Sequence, residues 1–98
     1  METNIYYNPE KFGLMVVDEI DLGGSYEFDK FVVWRTADGR LVYLTDSGCS
    51  CPTPFEEFGI DDVKEYSESA FDAWIEENKY RDIDNIDVLN FKQKMRGK

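Results

Sequence analysis

The sequence predicts one α+β domain, in which a three-stranded antiparallel β-meander precedes two or three C-terminal helices. Three observations lead to this fold class. β-type runs alternate with turn signals as far as residue 46, an Asp-Gly pair separates two of these runs, and apolar residues recur at helical spacing after residue 58. The predicted parts are an N-terminal loop over residues 1–13, the meander over 14–46, a loop with cysteines and prolines over 47–58 and a helical region over 59–98.

The first two predicted strands are apolar runs on either side of a turn cluster. Residues 14–20 form the first run, and residues 21–25 form the turn. Residues 26–35 form the second and clearest run, in which alternate side chains belong to opposite faces of the sheet. Since both faces carry apolar side chains, we expect both to be covered at least in part. One face has Tyr26, Phe28, Val32 and Trp34, and the other has Phe31 and Val33.

The Asp38-Gly39 pair predicts a two-residue hairpin turn. A type I′ turn needs positive φ at both central residues, and Asp-Gly tolerates that conformation. In the register that follows from such a turn, Trp34 lies opposite Tyr43. Residues 41–45 are then the third strand.

Capping residues divide the C-terminal region. We expect Asp61 to cap a short helical turn through Tyr66, Ser67 to cap the next helix and Asp87 to cap the last one. The apolar residues of the helix after Ser67 fall on one face, as they do in a helix that packs on a core. These residues are Ala70, Phe71, Trp74 and Ile75.

The charge of the chain is strongly negative and unevenly distributed. Among 98 residues, 11 are Lys or Arg and 21 are Asp or Glu, so the net charge is −10. All the acids lie in residues 1–91, whereas residues 92–98 carry four bases. Such a surface repels phosphate, so we expect no direct binding of nucleic acid. It attracts basic protein surfaces, although a high net charge also serves simply to keep a small protein in solution.

Sequence signals for a membrane or for secretion are absent. The chain contains no run of 18 apolar residues, so we expect no membrane span. The first seven residues lack the basic region and the apolar stretch of a signal peptide. We therefore expect a cytoplasmic protein whose cysteines are reduced thiols unless a metal holds them.

The usual signatures of an active site are also absent. The chain has no histidine, which removes Ser-His and Cys-His nucleophile pairs and the usual general base near neutral pH. Gly23-Gly24 precedes a strand and not a helix, so it is no phosphate loop. We predict that the chain is not an enzyme and needs no cofactor.

The most distinctive segment runs from Asp46 to Phe58 and contains Cys49 and Cys51. A disulfide between the two cysteines closes a very small, strained ring, which is easily reduced. A zinc ion needs four ligands, so these two thiols are weak metal candidates without a dimer or added carboxylates. A structural loop is the plainest interpretation. The remaining one is a rigid recognition loop, in which Asp46, Cys49 and Cys51 belong to a binding site that presents Phe55 and Phe58 to a partner.

Acidic residues are densest between residues 56 and 87. This segment contains twelve acids and three bases. Carboxylates on helices can form a ridge with the spacing of phosphates, by which a protein occupies a DNA-binding groove. The alternative is a solvated helix face without a function of its own.

Four segments of the chain resemble a known family. They are Tyr-Asn-Pro-Glu-Lys-Phe-Gly-Leu at 7–14, Tyr-Glu-Phe-Asp at 26–29, Val-Val-Trp at 32–34 and Asp-Ser-Gly-Cys-Ser-Cys-Pro at 46–52. They resemble small uncharacterised proteins found mainly in phages of actinobacteria, and the resemblance covers about residues 6–58. It implies a phage-encoded protein that works in the cytoplasm of a bacterial host, and it supplies no catalytic or binding residues.

These observations lead to three functional hypotheses. The first is a non-catalytic phage protein that binds and modulates a host or phage protein, with a basic surface on that partner. The second is an acidic DNA mimic that blocks a DNA-binding protein. The third is a small metal or thiol-redox site at Cys49 and Cys51. The oligomeric state and a role in the virion stay open.

Overall fold

The computed structural model describes residues 4–24, 26–49 and 54–97. The strands are β1 (Leu14–Asp21), β2 (Glu27–Thr36), β3 (Leu41–Cys49) and β4 (Lys64–Glu65), and the helices are α1 (Glu68–Glu77) and α2 (Asn85–Arg96). Short 3-10 turns cover Pro9–Phe12 and Ile60–Asp62. The strands form one antiparallel sheet in the order β1-β2-β3-β4, so the predicted α+β class is confirmed.

The sheet has a fourth strand that the sequence did not predict. β4 pairs with Val42 and Tyr43 of β3, in the region where we expected Asp61 to begin a helical turn. That expectation was wrong, because the 3-10 turn begins after Gly59, whose N–H donates to Asp62 Oδ2 at 2.7 Å. A strand of two residues is too short to show an alternating pattern, so only its pairing reveals it.

The hairpin between β2 and β3 differs from the predicted one by one residue. Thr36 N–H donates to the Arg40 carbonyl and Gly39 N–H donates to the Thr36 carbonyl, so the loop has three residues. Positive φ occurs at Gly39 but not at Asp38, which excludes the predicted type I′ turn. The arrangement is that of a type I turn followed by a glycine bulge.

The extra loop residue shifts the register by one position and so changes which side chains of β3 belong to each face. Trp34 lies opposite Val42, whereas we had expected Tyr43 there. Since the side-chain period of a strand is two, Tyr43 moves to the opposite face, where its ring stacks on Phe31 at 4.7 Å.

Two clusters of buried side chains cover the two faces of the sheet, as expected. The helices cover one face, where Phe31, Val33, Phe71, Trp74, Phe91 and Met95 are buried together. The N-terminal segment and the chain after β3 cover the other face, where Ile5, Leu14, Val32, Trp34, Val42, Leu44 and Phe55 are buried together. Phe71 and Trp74 of α1 pack in the cluster under the helices, and α1 forms one wall of the site described below.

The two helices begin with side-chain caps. Ser67 Oγ accepts from Ala70 N–H at 3.0 Å, so the predicted cap of α1 is confirmed. The cap of α2 is Asp84, which accepts from Ile86 N–H at 2.9 Å, and not the predicted Asp87. Asp87 lies in the first turn of α2, where a carboxylate also suits the helix dipole. The sequence pattern therefore located the helix but missed its first residues.

Candidate functional site

The outer edge of β3 is a part of the sheet that its neighbours leave open. β2 pairs with β3 along its whole length, from Leu41 to Cys49. On the other side β4 pairs with Val42 and Tyr43 only. No strand among the described residues pairs with this edge beyond Tyr43. Residues 44–49 thus form a free edge about 20 Å long, at about 3.3 Å per residue.

The hydrogen bonds at the hairpin establish which backbone groups face outward from this edge. In antiparallel strands, residues alternate between those that bond to one neighbour and those that face away from it. Thr36 N–H donates to the Arg40 carbonyl at 2.8 Å, so every second residue from Arg40 onward faces β2. The residues between them face outward. Accordingly, the Leu41 carbonyl accepts from Tyr66 N–H at 2.9 Å, on the β4 side.

Thr45 and Ser47 follow Leu41 and Tyr43 in this outward-facing series. The N–H and carbonyl of Thr45 and the carbonyl of Ser47 have no hydrogen-bond partner among the described residues. Ser47 N–H donates to Asp46 Oδ1 at 2.9 Å. Three backbone groups along the edge are therefore available to another chain.

A groove open to solvent runs beside this edge, between β3 and α1. Its larger part has a volume of about 460 Å³, and a smaller part of about 310 Å³ adjoins it. Both parts are lined by Thr45, Trp74 and Glu77, so they form one continuous surface. The larger part is also lined by Phe58, Asp62 and Lys64, among others, and Asp29, Asp46, Ser47 and Asn78 complete the smaller one.

The wall of the groove on α1 is held rigidly. Trp74 is 7% exposed and its ring lies 5.3 Å from Phe31 in the core under the helices. The side chain of Asn78 ends the helix, because its Nδ2 donates to the Trp74 carbonyl at 2.8 Å. Glu77 is exposed at the rim of the groove. The groove thus has a mixed polar and apolar lining, with carboxylates at its rim.

The groove carries more negative than positive charge. Lys64 is its one lining cation among the described residues, against Asp29, Asp46, Asp62 and Glu77. The negative charge of Asp29 is compensated by Arg81, which does not line the groove and whose Nε lies 3.0 Å from Asp29 Oδ2. Burial raises the pKa of Asp29 even so, because the loss of hydration outweighs the nearby Arg81 charge.

The structure brings two of the predicted site residues, Asp46 and Phe55, together. Asp46 Oδ2 accepts from Phe55 N–H at 2.9 Å. The Phe55 side chain is 1% exposed and lies 6.0 Å from Trp34, edge-on to its ring. The expectation that Phe55 is presented to a partner is therefore wrong, because the ring belongs to the core. Asp46 holds the loop and also lines the groove.

The other predicted site residues have different positions. Phe58 is half-buried and lines the groove, with its ring 5.7 Å from Phe55. Cys49 is the last residue of β3 and pairs with Glu27 of β2. Cys51 lies outside the described residues, so its predicted role as a binding or metal residue stays a prediction.

Sequence reasoning missed Thr45, Ser47 and Glu77. We predicted that the third strand ends at residue 45, because residues 46–49 look like a turn by composition. In the structure β3 extends to Cys49. The length of the second predicted strand was the available signal. A run of ten residues in the middle of a sheet needs a partner strand of similar length.

The acidic segment over residues 56–87 does not form an uninterrupted row of free carboxylates. Three acids of α1 are neutralised by neighbouring cations. Glu68 pairs with Arg96 at 2.8 Å, Asp72 with Lys92 at 2.5 Å and Glu76 with Lys79 at 2.7 Å. Two of these cations, Lys92 and Arg96, belong to the basic C-terminal segment, which therefore compensates part of the negative charge of α1.

The structure adds two findings about metals and membranes. Among residues 4–24, 26–49 and 54–97, no three cysteine or acidic side chains lie together as metal ligands. Neither helix that the structure describes is long and apolar enough to cross a lipid bilayer.

Comparison with known proteins assigns the chain to a family. Residues 3–94 match the family described as Domain of unknown function (DUF7574). The chain belongs to the DUF7574 family. The matched residues include the whole sheet, the groove beside β3 and nearly all of α2. No curated protein and no solved structure matches the chain.

Proposed function

We propose that this chain is a non-catalytic binding protein whose groove beside β3 recognises a basic segment of a protein partner. The observation that carries the proposal is the outer edge of β3, which is free among the described residues, next to a groove rimmed by carboxylates. Exposed backbone groups on a sheet edge invite another chain to pair with them. The lack of histidine in the sequence supports binding over catalysis.

The charge of the groove supports a basic partner. With Asp29 compensated by Arg81, the carboxylates of Asp46, Asp62 and Glu77 outnumber the cation of Lys64. The net charge of −10 acts in the same direction, because it speeds encounters with basic surfaces. A small molecule suits this site less well, since small-molecule pockets enclose most of their ligand.

The resemblance of residues 6–58 to phage proteins supports the biological part of the proposal. We take the chain to be phage-encoded and to act in the cytoplasm of a bacterial host. There it binds and modulates a host or phage protein. The acidic DNA mimic has weaker support, because α1 keeps several of its carboxylates in ion pairs with Arg96, Lys92 and Lys79.

The test is affinity capture from host lysate treated with nuclease, with three baits compared side by side. They are the wild type, Glu77→Lys in the groove, and Glu10→Lys as a control that makes the same charge change on an exposed side chain outside the groove. A lysine at the end of α1 suits the helix dipole, so Glu77→Lys should leave the fold intact.

We expect the wild type and Glu10→Lys to capture the same protein and Glu77→Lys to lose it. Equal capture by all three baits would contradict the groove as the site. If duplex DNA, added after the nuclease has been washed away, displaces the captured protein, the DNA mimic replaces our proposal.

A further inference from the structure

We infer that the partner docks as an extended basic segment that adds a strand to the outer edge of β3, along residues 44–49. This inference rests on the proposed function and specifies its binding mode. The Thr45 N–H and carbonyl and the Ser47 carbonyl are the backbone groups that pair with the incoming segment. They face outward and have no partner among the described residues.

The new strand continues the line that β4 begins. β4 pairs with Tyr43 through Lys64, and the chain before Lys64 turns away through the 3-10 turn Ile60–Asp62. The fourth position in the sheet is therefore occupied beside Val42 and Tyr43, and no described residue occupies it beside residues 44–49. A segment of about six residues fills that length at about 3.3 Å per residue.

The opposite edge of the sheet is protected and does not offer the same site. β1 contains an irregularity between Val16 and Asp18, and such bulges disrupt the pairing of a further strand. Lys94 of α2 also contacts Asp18 at 3.3 Å across that edge. The β3 edge has a regular register with β2 from Leu41 to Cys49. Strand addition is thus favoured at β3.

The side chains around the edge select a basic segment. Alternate side chains of an added strand point to opposite faces of the sheet. On the helical face they meet Trp74 and Glu77, and on the other face they meet Asp46 and Phe58. Each face thus offers a carboxylate for the charged end of Arg or Lys, and the half-buried Phe58 adds an aromatic surface for the apolar stem on the second face.

A second copy of this chain is a poor occupant of the edge. Each copy carries a net charge of −10, so an edge-to-edge dimer brings two negative surfaces together. The edge of the second copy supplies the same acids, and like charges across neighbouring strands are destabilising. The occupant is therefore a different chain with basic residues.

The first test uses a synthetic peptide in which arginine alternates with valine, titrated into the wild-type protein. Two further versions of this peptide carry N-methyl groups on one or the other alternate set of backbone amides. Only one set faces β3 in an added strand, so we expect one version to bind at least about tenfold more weakly and the other to bind within about twofold of the parent. A third version, methylated on both sets, cannot pair with β3 in either register, and its binding within about twofold of the parent overturns strand addition.

The second test acts on the protein. Thr45→Pro removes the outward N–H without removing a hydrogen bond to β2, and Thr45→Val is the matched control that keeps the N–H. We expect the proline variant to lose at least about tenfold in peptide affinity and the valine variant to keep it. If the proline variant fails to fold, amide hydrogen exchange of the wild type still tests the inference. Exchange at Thr45 should slow about tenfold when the peptide is bound, and unchanged exchange overturns the inference.

These outcomes separate the inference from the proposed function. Suppose that Glu77→Lys weakens peptide binding, whereas Thr45→Pro binds the peptide as the wild type does and the methylated peptides bind as the parent peptide does. The proposal of a basic partner is then supported and strand addition is refuted. If the wild type binds no basic peptide and captures no protein, both fall together.

Discussion

Asp46 Oδ2 accepts a hydrogen bond from Phe55 N–H at 2.9 Å, and this bond ties the end of β3 to a core residue nine positions later. Phe55 has a φ of 61°, which is uncommon for a residue other than glycine. The hydrogen bond to Asp46 and the burial of the Phe55 ring therefore both stabilise this backbone conformation. The bond also fixes the carboxylate that lines the smaller part of the groove.

Asp46→Ala should lower the free energy of unfolding by about 1–3 kcal/mol, because it leaves the Phe55 N–H without its acceptor. Asp46→Asn is the matched control, since its amide oxygen can still accept from that N–H. We expect urea denaturation to rank the wild type and Asp46→Asn well above Asp46→Ala. Equal stability of the two variants would show that the hydrogen bond contributes nothing.

Trp34→Ala should destabilise the fold by about 3–5 kcal/mol, as large-to-small changes in a core do. The Trp34 side chain is fully buried between Phe55 and the residues of β3 that share its face. Tyr26→Ala provides the control, because Tyr26 is 82% exposed and should change stability by no more than about 0.5 kcal/mol. Thermal denaturation of the two variants checks this prediction. Similar melting temperatures would contradict the core assignment of Trp34.

Gly39→Ala should cost about 1–2 kcal/mol, because the φ of Gly39 is +89° and a side chain disfavours that conformation. Nothing lies within 4 Å of an added Cβ at this position, so the cost comes from the backbone and not from a clash. Gly24→Ala is the control, since an added Cβ there meets Glu27 side-chain atoms only at ordinary contact distances of 3.8 and 3.9 Å. Chemical denaturation should separate the two variants. An unchanged Gly39→Ala would contradict the three-residue loop.

The pH dependence of stability should reveal the interactions of Asp21. Burial raises the pKa of this carboxyl, but N–H donors from Asp29 and Gly23 and the charge of Lys30 together lower it below the ordinary 3.8. The stabilising contribution of Asp21 is therefore present above pH 3.8 and is lost as the pH falls through the lowered value. We expect the unfolding free energy of Asp21→Asn to decline less on acidification than that of the wild type. Parallel curves would refute this.

Asp29→Asn should show the opposite behaviour. Burial raises the pKa of Asp29 above 3.8 despite Arg81, so its contribution to stability is fully present below pH 3.8 and is lost as the pH rises through the raised value. The asparagine variant does not ionise and escapes this loss. Relative to the wild type, its unfolding free energy should improve as the pH rises from 3.8 toward neutrality. The same denaturation series measures both variants.

The sequence by itself determined the parts of this protein that depend on neighbouring residues. The runs of residues at 14–20 and 26–35 form strands, Ser67 caps a helix, and a turn contains Asp38-Gly39. Each of these follows from side-chain periodicity, from the conformation of glycine or from a local hydrogen bond. The α+β class follows from their order along the chain.

Tertiary structure decided the features that depend on distant contacts. Asp-Gly fits a two-residue and a three-residue loop, and the choice between them placed Val42 and not Tyr43 opposite Trp34. Phe55 is buried because the chain after β3 folds back onto Trp34, which no local pattern reveals. The open edge at Thr45 exists because β4 is only two residues long, whereas β3 has nine. Strand pairing joins residues far apart in the chain, so neither the free edge nor the groove has a local signature.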